Sequence, residues 1–135
     1  MNWIAASLLA LLSFGLWGLF TKLAVVHIDY RSALLYQTIG VLLVGTMMLC
    51  LGGSKPAVHL KGFGYALLTG AAYSIGCLFY FIAASRGKII TVVTLTALYP
   101  LVTIALAYCL LDESVSMKQC LGIGCGLIAI FLMST

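Results

Sequence analysis

The chain has 135 residues, 64% of them hydrophobic and 7% charged, with seven Lys/Arg against three Asp/Glu and a mean hydropathy of +1.21. A water-soluble domain carries about 25% charged residues because its surface must be solvated. These proportions exclude a soluble globular protein and place the chain in a lipid bilayer.

Five runs approach the ~20 apolar residues that cross about 30 Å of hydrocarbon. They cover residues 3–23, 32–51, 63–84, 89–111 and 120–133. The last is short, so its helix is expected over 118–134 with flanking residues helping it to span. Every formally charged residue lies at the end of a run or between two runs. Nothing in lipid hydrogen-bonds an open backbone, so the expected fold class is an all-α integral membrane protein, a single bundle of five transmembrane helices over residues 1–135.

In the first run there is no Lys or Arg before Lys22, and the apolar stretch is too long for a cleaved signal peptide. Ser13, Trp17 and Thr21 repeat by four and share one helix face. Lys22 falls in the expected last turn. It has two readings: its stem snorkels to the headgroups, or its ammonium sits at a cavity mouth and attracts carboxylate-bearing solutes. His27, Asp29 and Arg31 follow at the first junction. The second run covers residues 32–51. The junction after it, "GGSKPAVHLKG", reads as a loop from its Gly pair and Pro56.

The third run places Tyr65, Thr69 and Tyr73 four residues apart, with Tyr80 one heptad beyond Tyr73. Near the ends of a span, Tyr and Trp form interfacial belts; Trp17, Tyr73 and Tyr99 lie too deep for that explanation. "SRGK" then forces a tight antiparallel turn into the fourth run. Here Pro100 removes a backbone donor and leaves the carbonyl of Thr96, four residues earlier, without its partner. The fourth helix is therefore expected to break at Pro100, among Thr94, Thr96, Tyr99 and Thr103. Such a break is either a plain kink packed against protein or a bend facing a wet cavity. Thr96, Tyr99 and Thr103 again lie on one face. In the fifth run Gly122 and Gly126 form a GxxxG pair, which allows close helix contact within one subunit or between two.

Metal chemistry is poorly supported: Cys50, Cys77, Cys109, Cys120 and Cys125 form no CxxC pair and lie away from His27 and His59. His27, Asp29, Asp112 and Glu113 sit at membrane edges with no nucleophile at recognisable spacing, so an enzyme is not expected. No nucleotide-binding motif is present, and neither cofactor nor nucleic-acid partner is expected.

"GLWGLFTKLA" resembles the first helix of EamA-like domains in the drug/metabolite transporter superfamily. "AASRGKIITVVTLTALYPLVTIALAYCLLDE" is closer still, with a third-helix end, a basic turn, a proline-bearing fourth helix and a terminal acid, Glu113. The resemblance spans the whole chain as one five-helix unit; typical members of the family hold two such units in inverted orientation, so with one unit this chain is similar to the short five-helix bacterial or archaeal branch. It implies carriage of metabolites, amino acids or drugs across the cell membrane, with helices one, three and four lining a cavity. The polar-aromatic stripes lie on those same helices, so the candidate solute-binding residues are Trp17, Lys22, Tyr73, Tyr80, Thr96, Tyr99 and Thr103; the resemblance itself carries over Pro100 as the break and Glu113 as a helix-end structural residue. The alternatives are a non-transporting assembly subunit and a small-multidrug-resistance exporter. The latter depends on a Glu in its first helix, and no acid precedes Asp29 here.

With five spans, Lys55, Lys61 and Lys118 face one side while Lys22, Arg31, Arg86 and Lys88 face the other. A difference of one charge gives no firm orientation under the positive-inside rule. The expectation is insertion in both directions and an antiparallel homodimer, with Gly122 and Gly126 as a contact; a parallel dimer or a pair with a related short chain are the alternatives.

Overall fold

The computed structural model describes residues 2–52, 59–111 and 114–134. The expected loop at Pro56 and the helix-end role of Glu113 lie outside the described residues. Among those described, all regular structure is helical: α1 (Trp3–His27), α2 (Tyr30–Leu51), α3 (Leu60–Arg86), α4 (Ile89–Thr96), α5 (Tyr99–Leu110) and α6 (Met117–Ser134). α4 and α5 together form one broken apolar span, Ile89–Leu110, beside the continuous spans α1, α2 and α3. α6 is the shorter apolar helix. The protein is thus an all-α membrane protein of five helices, the fourth broken.

The chain divides into two compact units, Met1–Arg86 and Gly87–Thr135. In the first, Asn2 caps α1 by accepting from the Ile4 N–H at 3.3 Å. α1 runs past the expected end at Leu23 to His27, because Ala24, Val25 and Val26 offer no break. Ile28 is extended and closes α1 with its N–H on the Ala24 carbonyl. Asp29 immediately caps α2: one carboxylate oxygen accepts from the N–H groups of Arg31 (3.1 Å) and Ser32 (3.2 Å), the other from the Ser32 hydroxyl (2.6 Å). A two-residue junction leaves α2 no course but to fold back along α1.

Packing in this unit gathers toward one end. Ala33, Cys77 and Phe81 form its buried centre, with Trp17, Val25 and Leu34 against them. Trp17 meets Tyr80 and Lys22 meets Ala84, so positions ascend together on α1 and α3 and these two helices run parallel. Small residues set the close approach: Gly18 and Ala33 are buried and Ala84 is wholly so. Leu8, Leu12, Val44 and Leu67, in the other halves of the three helices, are all exposed.

In the second unit, α4 packs on α6. α4 stops because Pro100 has no N–H to return toward Thr96. The chain closes a tight turn at Ala97 and Leu98 instead: Ala97 donates to Val93 (2.9 Å), Leu98 to Leu95 (3.3 Å) and Leu101 to Leu98 (3.0 Å). Pro100 then sits in the first turn of α5, where its missing donor costs nothing. α6 opens on a capping box. The Ser116 hydroxyl accepts from the Gln119 N–H (3.3 Å) while the Gln119 side-chain oxygen accepts from the Ser116 N–H (2.8 Å).

The Asp29 cap carries a pH signature. The Ser32 hydroxyl first, and then the Ser32 N–H, hold the Asp29 carboxyl below the ordinary carboxylate range. A depressed folded value means the charge contributes fully above the unfolded value of about 3.9 and is lost as pH falls through the folded one. Asp29→Ala lowers the unfolding midpoint in detergent by several degrees, whereas Asp29→Asn retains most of the cap. The remaining gap between wild type and Asp29→Asn closes below about pH 4, as thermal melts at stepped pH read directly.

Candidate functional site

Hydroxyls in an apolar helix satisfy themselves locally. Ser13 donates to the Leu9 carbonyl (2.9 Å), Thr21 to Trp17 (2.9 Å), Thr69 to Tyr65 (2.9 Å) and Thr96 to Val92 (2.8 Å). Each keeps only lone pairs to offer a neighbour. An indole N–H or a side-chain amide has no such routine home on its own helix, and these are the groups that cross between helices here.

Trp17 on α1 donates its Nε1–H to the side-chain oxygen of Gln37 on α2 at 2.7 Å. The same indole lies against Tyr80 on α3, ring centroids 4.5 Å apart and tilted by 39°. That distance and tilt fall among the favourable aromatic arrangements. Tyr80 is buried; Trp17 and Gln37 are half-buried. One turn further along, the half-buried Lys22 ammonium donates to the Ala84 carbonyl at 2.7 Å. Ala84 is in the last turn of α3, where carbonyls lack helical partners and the helix dipole favours a cation. Trp17, Lys22 and Tyr80 therefore come together as two successive rungs between α1 and α3. Sequence reading did not consider this helix-end contact for Lys22.

The other candidates are distributed differently. Tyr73 lies on α3 two turns before Tyr80 and is 44% exposed. Thr96, Tyr99, Thr103 and Pro100 belong to the second unit and are exposed. The Thr103 hydroxyl reaches the Tyr99 carbonyl at 3.4 Å, across the first turn after the break. Gly122 and Gly126 are exposed on α6, and a Cβ built at either meets nothing within 4 Å. Among the described residues no three His, Cys, Asp or Glu side chains come together as metal ligands would.

Gln37 is the residue that sequence reading missed. It is the one side-chain amide of α2, a helix otherwise built of apolar residues, hydroxyls and a single Arg. That singularity was the available signal, because an amide in hydrocarbon needs a partner on another helix.

The family model for the EamA-like transporter family matches residues 1–135, the whole chain. The chain belongs to the EamA-like transporter family. It is accordingly a multi-pass membrane protein of the transporter type. Comparison with curated proteins and with solved structures gives no match. In this EamA-like chain the cross-helix polar contacts gather around Trp17, at the packed end of the first unit.

The Trp17–Gln37 bond is testable alone. A double-mutant cycle of Trp17→Phe and Gln37→Leu, followed by unfolding in mixed micelles, should return a coupling of about 0.5–1.5 kcal/mol, the range of hydrogen bonds between membrane helices. Additive single effects would show that the bond contributes nothing beyond packing.

Proposed function

We propose that this EamA-like protein carries small organic solutes, such as metabolites, amino acids or drugs, across a bacterial or archaeal plasma membrane. It works as a homodimer whose two five-helix units form the central cavity. The observation that carries the reading is the Trp17–Gln37–Tyr80 cluster, which joins three apolar helices through the groups a solute would need. Polar side chains inside a membrane bundle are costly and mark pathways. Thr96, Tyr99 and Thr103 are assigned to the pathway by their shared face, and Pro100 as the bend that lets the fourth span move.

The homodimer follows from size and symmetry. One five-helix unit is too small to enclose a route, and related transporters use two inverted units. Near-even charge on the two sides supports insertion both ways. The uncovered Gly122 and Gly126 face of α6 is the proposed contact. Coupling is limited by composition: none of the six helices contains Asp or Glu. Proton exchange through a carboxylate within a span is thereby removed, leaving facilitated diffusion or coupling through His27 at the end of α1, whose Nδ1 lies 2.9 Å from the Leu23 carbonyl.

Purified protein in liposomes should move at least one class among amino acids, amines and nucleosides. Tyr73→Ala and Tyr99→Ala, both at exposed positions, should alter flux more than thermal stability, and Pro100→Ala should slow turnover without preventing assembly. Reporters fused after Thr135 should be active on both sides of the membrane. Flux absent for the whole panel, with assembly of another membrane protein impaired when this chain is deleted, would replace transport by an accessory role. A reporter active on one side only would end the antiparallel dimer.

A further inference from the structure

An indole Nε1–H can only donate, so the atom of Gln37 that meets it at 2.7 Å is the amide oxygen. This fixes the orientation of the whole amide and turns the Nε2–H2 group away from Trp17. Among the described residues, no hydrogen bond engages that group. Gln37 lies one helical turn from the buried Ala33 and so shares its inward face of α2. No side-chain nitrogen or oxygen among the described residues is both buried and without a partner, so this donor pair stands at an accessible surface, open to water or a solute. The surroundings have one electrical character. No carboxylate occurs in α1, α2 or α3 to receive a cation, while the Lys22 ammonium lies one turn along the same α1–α3 contact. Trp17 and Tyr80 supply a flat apolar wall beside the amide.

We infer that Gln37 is the specificity-determining residue of the first unit, its Nε2–H2 donating to a carboxylate or carbonyl oxygen on the solute. Trp17 acts as a positioning residue that holds the amide in the donor-outward orientation. The substrate class is then small organic molecules bearing such an acceptor, such as amino acids and their amides, and bare amines are discriminated against. The inference rests on the transporter reading above and deepens it by naming what the site selects.

The test uses matched sets on aliphatic and polar side chains: an amino acid, its primary amide and the corresponding decarboxylated amine. The full chain is reconstituted in liposomes for flux and in nanodiscs for binding. Trp3→Phe in the nanodisc protein makes Trp17 the sole indole, since the chain holds two Trp. Acid and amide should shift Trp17 emission, and should be carried, at least about tenfold more effectively than the amine, the scale of one net hydrogen bond between an amide donor and a charged or carbonyl acceptor. Gln37→Met should bring that ratio close to one. Gln37→Glu keeps an oxygen for the Trp17 N–H, so it is the variant to rely on if Gln37→Met fails to fold. It exchanges the donor pair for an acceptor and should reverse the preference toward the amine.

Amines carried as well as acids by the wild type, or a ratio unchanged in the Gln37 variants, would overturn the inference and leave the transporter reading intact. Selective binding without flux would overturn the transporter reading and leave the Gln37 site standing. Neither binding nor flux for any member of the sets would overturn both.

Discussion

The constraint on which this structure depends is that a polar group in hydrocarbon has only protein for a partner. Backbone amides meet it by forming helices, and Ser and Thr meet it by returning their hydroxyl protons to carbonyls one turn earlier. The Trp17 indole and the Gln37 amide meet it only across the gap between α1 and α2, in a bond of 2.7 Å. Because Tyr80 stacks on the same indole, α3 is drawn into the arrangement. One donor–acceptor pair and one ring contact therefore tie three apolar helices whose other surfaces mostly resemble lipid.

Lipid-like surfaces give no hydrophobic drive for one helix to prefer another over a fatty acid chain. Close backbone approach substitutes for that drive. Gly18, Ala33 and Ala84 are buried at the packed end of the first unit, where Lys22 also reaches the Ala84 carbonyl in the last turn of α3. The other halves of these three helices leave Leu8, Leu12, Val44 and Leu67 exposed, apolar surface that suits lipid. The break in the fourth span has a related logic. Pro100 in mid-helix would orphan a carbonyl, but at the start of α5 its missing donor is harmless. The tight turn at Ala97 and Leu98 divides one long span into two helices, α4 and α5.

Much of this organisation was legible in the residues themselves. The membrane class followed from the scarcity of charge, and the spans from the lengths of the apolar runs. The break followed from the covalent chemistry of proline, which no neighbour can alter. The EamA-like resemblance rested on whole-chain pattern, and the family model bears it out. These features depend on local composition and spacing, which one strand of text records completely.

Tertiary structure decided what the stripes alone could not. Trp17 and Tyr80 were visible as polar-aromatic positions on separate helices, but their stacking required α1 and α3 to run parallel at a particular register. Lys22 stood equally well for a snorkelling cation or a cavity charge until α3 ended beside it and offered the Ala84 carbonyl. Gln37 drew no notice in a run of apolar residues, because a single amide has no periodicity. Its meaning came from the helix opposite. Periodicity tells which residues share a face, whereas the pairing of faces is set by steric fit and hydrogen-bond geometry between segments distant in sequence, and only the folded chain contains that information.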